Sequence, residues 1–434
     1  MDLRHRISRW AAGQRRRQGT SRERGVTAVQ FLVILVPVVF GLLGFALDLG
    51  MMYSVKGELK AAAGSMALAA ASQLIGTDAS TGAATAAAQA TIENTSGFGN
   101  RYYFHGFPIG QNTGSLASTV TDPAFYATAA DAIASGASGS GGAGGVGGAG
   151  AKYVRATVTG QIQLLFWSFL PTVSDRNVSV TATAVAGISA PLCVACGIEP
   201  FAVAALDQND TTDFGFSLNA QYSFAYLCTG MPTPGVLTGA SQGINYVLLN
   251  RLDPNATVLA DESTQAFRDL AGGLPGNTNG AVACFTINTP EVIWASAVVN
   301  ACSASQVAPT VTEALCGLDT RMDSTTPAVC ETIPAVDTLA AVYPPDPDIN
   351  AYSVYSDYTG NGRRIITIPI VDTVSGTGSM NVLGFRQFLL TATNPADPFG
   401  RFVAMYIGSV APVKQGRFDS CQISAGPGKV VLHQ

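Results

Sequence analysis

Residues 26–47 read VTAVQFLVILVPVVFGLLGFAL, twenty-two positions without a charged side chain. A helix rises about 1.5 Å per residue, so such a run covers about 33 Å, enough to cross a bilayer core of roughly 30 Å. Its two flanks differ in charge. Residues 1–24 hold eight Arg (Arg4, Arg6, Arg9, Arg15, Arg16, Arg17, Arg22 and Arg24) against Asp2 and Glu23, a net of +6. Everything after residue 24 holds sixteen basic and twenty-seven acidic side chains, a net of −11. Basic flanks are retained in the cytoplasm. The pattern therefore predicts one membrane span with the N-terminus inside and residues 48–434 outside.

Two other readings of this run fit less well. A cleaved secretory peptide has an apolar region of about 7–15 residues ending in an Ala-x-Ala-like site, whereas this run is longer and its helical pattern continues past it. A buried core helix would not need the basic flank. The same eight Arg, placed directly before a span, are explained by topology, so no nucleic-acid partner is expected.

Composition agrees with a chain that is partly out of water. Charged residues make up 12% of the 434, about half the usual 25% of globular proteins. Mean hydropathy is +0.26. Hydrophobic residues at 47% exclude a disordered acidic chain.

Past Asp48 the apolar positions Met52, Val55, Leu59, Ala62, Ala63, Met66, Ala69, Ala70 and Leu74 recur with helical spacing. Ala, Leu, Met, Lys and Glu favour helix, so the spanning helix is predicted to run on to about residue 75. Pro37, Gly41, Gly44 and Gly50 are its points of weakness.

These residues carry a family resemblance. Arg24-Gly25-Val26-Thr27-Ala28-Val29-Gln30-Phe31, the span, Ala46-Leu47-Asp48-Leu49-Gly50, Glu58-Leu59-Lys60-Ala61-Ala62-Ala63 and Ala67-Leu68-Ala69-Ala70-Ala71 resemble, in order and spacing, the N-terminal Tad domain of TadG-like and TadE-like proteins. That resemblance covers about residues 22–75 and implies a role in bacterial Flp (tight adherence) pilus assembly. It places the chain in a bacterial inner membrane, with its bulk periplasmic or extracellular. Prepilin-like relatives are cut after a Gly that is followed five residues on by Glu. Gly25 and Val26 form the matching candidate processing point, but Gln30 replaces the Glu, so cut and intact forms both stay open. Gln30, Phe31, Pro37, Gly41, Gly44 and Asp48 are the candidate docking positions of the helix. The implied partners are the lipid bilayer and a pilus-assembly platform or pilin-like subunits.

Downstream, residues 77–94 form a second Ala-rich helical pattern, and 101–108 a short aromatic run that suits a strand. Residues 135–150 hold nine Gly in sixteen and read as a loop. Lys152 follows them without the Ser/Thr and helix of a phosphate-binding loop. Residues 152–160 and 178–188 alternate as strands, joined by an apolar run with Trp167.

All eight Cys (Cys193, Cys196, Cys228, Cys284, Cys302, Cys316, Cys330 and Cys421) lie after residue 190. Outside the cytoplasm, disulfides are their default, with pairing open. The Cys193–Cys196 motif has three readings: structural disulfide, redox pair or metal site. Two Asp-rich stretches, Asp207, Asp210 and Asp213, then Asp346, Asp348, Asn350 and Asp357, lack the spacing of a calcium loop. Many TadG-like proteins carry a von Willebrand factor A domain, but its Asp-x-Ser-x-Ser metal motif is missing here. Residues 364–371, 382–391 and 401–410 read as buried strands.

No Gly-x-Ser-x-Gly or His-Glu-x-x-His motif occurs. No catalytic residue, metal or cofactor is therefore expected, and the chain is not read as an enzyme. The expected fold is α+β: a long N-terminal transmembrane, pilin-like helix, then an antiparallel β-rich extracytoplasmic region with a Cys-containing, mainly β C-terminal domain. The segments are a basic leader (1–25), a span (26–47), a helix-plus-β region (48–190) and a Cys-bearing domain (191–434). Two functions compete with pilus assembly: a membrane-anchored adhesin with a surface ligand, and an exported thiol-disulfide oxidoreductase using Cys193 and Cys196.

Overall fold

Helix α1 (Glu23–Ser72) is a single 50-residue element in a computed structural model of the protein. The structure describes residues 23–91, 119–134, 146–164, 177–228, 235–249, 264–273, 284–288, 290–292, 309–322, 329–330, 344–374, 379–418, 421 and 423–433. The leader before residue 23, the aromatic run 101–108, positions 135–145 of the Gly-rich loop, Trp167 and Cys302 lie outside them.

The chain divides into two compact units. One comprises Met1–Ala61, Asn94–Val120 and Val158–Ala182; the other comprises Ala62–Glu93, Thr121–Thr157 and Thr183–Gln434. Within the second unit α1 buries one stripe completely, formed by Ala62, Ala63, Met66, Ala67, Ala70 and Ala71. The small side chains let neighbouring backbone come close. The site of a Cβ on Gly64 lies 3.9 Å from Leu432 Cδ1. Gly76, at φ +80°, turns the chain off the helix axis, which glycine does at little cost. The predicted helix 77–94 is realised as α2 (Ser80–Ala90), which buries Ser80, Ala84 and Ala88 at a spacing of four.

A four-stranded sheet has the order β1 (Thr119–Tyr126), β2 (Tyr153–Gln163), β3 (Asn177–Ile188), β14 (Val430–His433). On β2 the alternation read from the sequence is the observed burial. Val154, Ala156, Val158 and Gly160 are buried while Arg155, Thr157 and Thr159 are half-exposed, the signature of a strand with one covered face. In the first unit Leu59 of α1 lies 3.4 Å from where a Cβ on Gly160 would be. A short helix, α3 (Ala129–Ala134), follows β1.

The largest sheet runs β10 (Ile365–Val371), β5 (Phe201–Ala204), β7 (Gln242–Leu248), β6 (Gln221–Tyr226), β12 (Phe402–Gly408), β11 (Ser379–Thr393), β9 (Pro290–Val292). β10 also pairs with β11, from Ile365↔Leu389 to Val371↔Val382. Six strands thus close into a barrel and β9 hangs on its edge. Two pairs, β5–β10 and β6–β7, are parallel and the other barrel pairs antiparallel. Closure removes the free edges on which sheets aggregate.

The barrel interior is filled with rings. Phe201, Phe216, Phe224, Tyr246, Phe388, Phe402 and Tyr406 belong to one core. Phe224 and Phe402 stack at 4.7 Å between centroids. Other pairs meet edge to face, such as Phe224–Phe388 at 89°, the geometry that ring quadrupoles favour. The mainly β reading of 191–434 gains two helices, α4 (Thr264–Ala271) and α5 (Pro309–Asp319). Their Phe267, Val311, Ala314, Leu315 and Leu318 join the same core. A third sheet has the order β13 (Gln415–Arg417), β4 (Val194–Cys196), β8 (Cys284–Thr286).

Candidate functional site

The functional element legible in the sequence is α1, and its two ends differ. Residues 28–72 qualify as a membrane-crossing helix, with a mean hydropathy of 2.5 over the richest window and only 11% of that window buried. Bare apolar surface of this size is not tolerated in water. It suits lipid, where all backbone bonds are satisfied within the helix.

The candidate docking positions sort by burial. Gln30, Phe31 and Pro37 are exposed, Gly41 is half-buried, and Gly44 and Asp48 are buried. Gly44 and Asp48 are four apart, so they share one helix face, while Phe45 and Leu47 beside them are exposed. A Cβ on Gly41 would meet nothing within 4 Å, so that position is open to a neighbour. Gly25 and Val26 lie inside the first turns of α1; their side-chain surroundings lie outside the described residues.

The cysteines act as staples. Cys193 bonds Cys421, Cys196 bonds Cys284 and Cys316 bonds Cys330, and Cys228 is disulfide-bonded too. Among the described residues no cysteine is free. The Cys193–Cys196 pair is thus divided between two distant partners and is not closed on itself. Cys196 and Cys284 face each other on neighbouring strands β4 and β8. Cys193 tethers the segment after β13 to the start of β4.

The Asp-rich stretches organise turns. Asp210 accepts backbone N–H groups from Thr212, Asp213 and Gly215 at 3.0–3.1 Å. Those bonds, from Gly215 and Asp213 first, hold its carboxyl below the usual range. Asp213 accepts the Tyr406 hydroxyl at 2.6 Å. Asp348 accepts Asn350 N, Thr359 N and Thr359 Oγ1, plus the Tyr352 hydroxyl. Burial works to raise its pKa, but these donors together hold it well below the ordinary value. Asp346 accepts the hydroxyl of Tyr358, and Asp357 lies in a short 3₁₀ turn.

Sequence reasoning missed how the end of α1 is held. Tyr355 donates to the carbonyl of Ile75 at 2.6 Å, and Asp78 N donates to Ser356 O at 3.1 Å. Ile75 packs beside Tyr352, Tyr355 and Tyr358. The tyrosine spacing in 352–358 was a visible signal, without any indication of its partner.

Residues 25–73 match the family described as "Putative Flp pilus-assembly TadE/G-like". The N-terminal helix is similar to a Tad domain. The match ends one residue past α1, so the similarity is confined to that helix, and the barrel lies beyond it. Nothing among curated proteins and nothing among solved structures matches the chain.

Proposed function

We propose that this protein is a single-pass component of a Flp/Tad-type pilus system, acting as a membrane-anchored assembly component or a minor pilin-like subunit. The observation that carries this reading is the divided Tad helix. Its first half is apolar and bare, and its second half is buried along an Ala-rich stripe. Lipid covers the first half. Helices of the assembly platform or of other pilin-like subunits dock against it, at the exposed Gln30 and Phe31 and the open Gly41. Small residues permit such close helix approach inside a bilayer. The +6 leader stands in the cytoplasm and the disulfide-stapled barrel outside it, contacting partners or surfaces there.

The test is the N-terminal sequence of the membrane-extracted protein together with a gene deletion. A start at Val26 identifies a processed, pilin-like subunit; an intact leader identifies a fixed assembly factor. Deletion should abolish filaments. Filaments that persist while attachment falls would replace this reading with that of an anchored adhesin.

A further inference from the structure

We propose that Tyr53, Lys56 and Lys60 of α1 form a face that seats against the phosphates of anionic phospholipids, in the leaflet on the barrel side of the membrane. The proposal rests on the reading of α1 as a membrane span.

The whole face lies on one helix within the first unit. Residues three, four or seven apart share a side of a helix. At that spacing Val38, Leu42, Leu49, Tyr53, Lys56 and Lys60 follow one another along α1. The side they share is bare. Leu42 is 65% exposed and Tyr53 68%, and both Lys are exposed. Gly44, Asp48 and Leu59 follow the same spacing on a different side, and all three are buried.

Along the bare side the chemistry changes in the order of a membrane–water boundary: apolar side chains, then a Tyr, then two cations. Tyr suits that boundary because its ring is apolar and its hydroxyl wet. Asp48 does not mark the boundary. It is buried by protein on the other side, and Leu49 carries the apolar face past it. Counted from Tyr53, Lys56 and Lys60 stand about 4.5 and about 10.5 Å higher along the axis. Helical side chains lean toward the N-terminus, which here is toward the membrane. Both amines therefore reach back toward a headgroup layer roughly 5–8 Å deep. Glu58, the nearest acid, is half-buried and stands two positions from each Lys, off this side. The face is thus cationic, continuous with the lipid-covered surface, and complementary to phosphate.

The experiment reconstitutes the full chain in nanodiscs of phosphatidylcholine, or of phosphatidylcholine and phosphatidylglycerol in equal parts. Lysines are acetylated with a water-soluble reagent, and the rate at each is followed by peptide mapping. Lys56 and Lys60 should react about fivefold more slowly beside phosphatidylglycerol, the effect of an anionic surface on a Lys held at it. The difference should vanish at about 0.5 M salt, where such attraction is screened. Equal rates in both lipids at low salt would overturn the proposal and leave the face to an acidic protein partner. A slowing that is the same at every lysine of the chain, or that survives salt, would overturn it too. A chain that stays dispersed with neither detergent nor lipid refutes the span itself, a separate result. The unaltered protein is used throughout, so no variant has to fold.

Discussion

Tyr355 Oη and the carbonyl of Ile75, 280 positions apart in sequence, share a 2.6 Å hydrogen bond. Ile75 lies three residues beyond α1, so the bond ties the exit of that helix to the loop that precedes β10. Tyr355→Phe keeps the ring and removes only the donor. We expect a loss of about 1 kcal/mol and faster hydrogen exchange confined to residues 73–78. Exchange that rises throughout the barrel, or nowhere, would contradict the assigned role.

The disulfides should rank by the loops they close. Cys193–Cys421 spans 228 residues and Cys316–Cys330 only 14. Chain-entropy arguments give about 3 kcal/mol for a 15-residue loop and nearly 5 for one of 100. A Cys193→Ser/Cys421→Ser double variant should therefore melt in less urea than Cys316→Ser/Cys330→Ser. Peptide mapping of the unreduced protein should return Cys193–Cys421 and Cys196–Cys284 links. Recovery of a Cys193–Cys196 link would revive the redox reading of that pair.

Alkali should unfold this protein by a specific route. Burial pushes the hydroxyls of Tyr226, Tyr246, Tyr355, Tyr358 and Tyr406 above their ordinary value of 10.0. For Tyr358 and Tyr406 the hydrogen bonds they give to Asp346 and Asp213 push further the same way. Above about pH 10 the unfolded chain releases these protons and the folded chain retains them, so stability falls as pH rises. It is fully present below that pH. Lys414 and Arg386 are shifted down and contribute with the opposite sign, but they are two groups against five. Urea midpoints at about pH 8 and about pH 11 should show the loss, and Tyr358→Phe should reduce its size. A midpoint independent of pH would refute the account.

Helices α4 and α5 touch backbone to backbone at Gly317. A Cβ there would lie 2.1 Å from Arg268 O and 2.9 Å from Gly272 N. Gly317→Ala must push the helices apart, also straining the buried Arg268–Glu313 pair at 3.2 Å. Overpacking of this kind costs about 1–3 kcal/mol. The usual gain in helix propensity, about 1 kcal/mol, does not offset the upper part of that range. Thermal unfolding of the variant checks it, and a stabilised protein would show that the contact can relax.

Periodicity explains what the sequence disclosed. Helix α1 and strand β2 each bury one face and leave the other open or lipid-facing, so 3.6-residue and two-residue repeats survive in the residues. The barrel strands do not. In β12 (Phe402–Gly408) every residue is buried: Phe402, Ala404 and Tyr406 fill the interior, while Met405 and Ile407 pack outside against Tyr355 and Tyr358. With both faces covered, the strand reads as an unbroken apolar run, and nothing in it specifies its neighbours. Strand order is a long-range property, as is the choice of Cys421 and Cys284 by Cys193 and Cys196. The apolar span of α1 was legible in composition, but the contrast between buried Gly44 and Asp48 and exposed Gln30 and Phe31 depends on what packs against each position.

Residues 415–433 complete what residues 64–286 begin. β13 edges β4, β14 edges β3, Cys421 closes on Cys193, and Leu432 reaches Gly64 of α1. In chain order these pieces follow everything they complete. Until they arrive, β3 and β4 each have an open edge and Cys193 a reactive thiol. Folding of this region therefore waits on its own late segment, and a chain interrupted before residue 415 would leave two sheet edges and one thiol without the partners they have here.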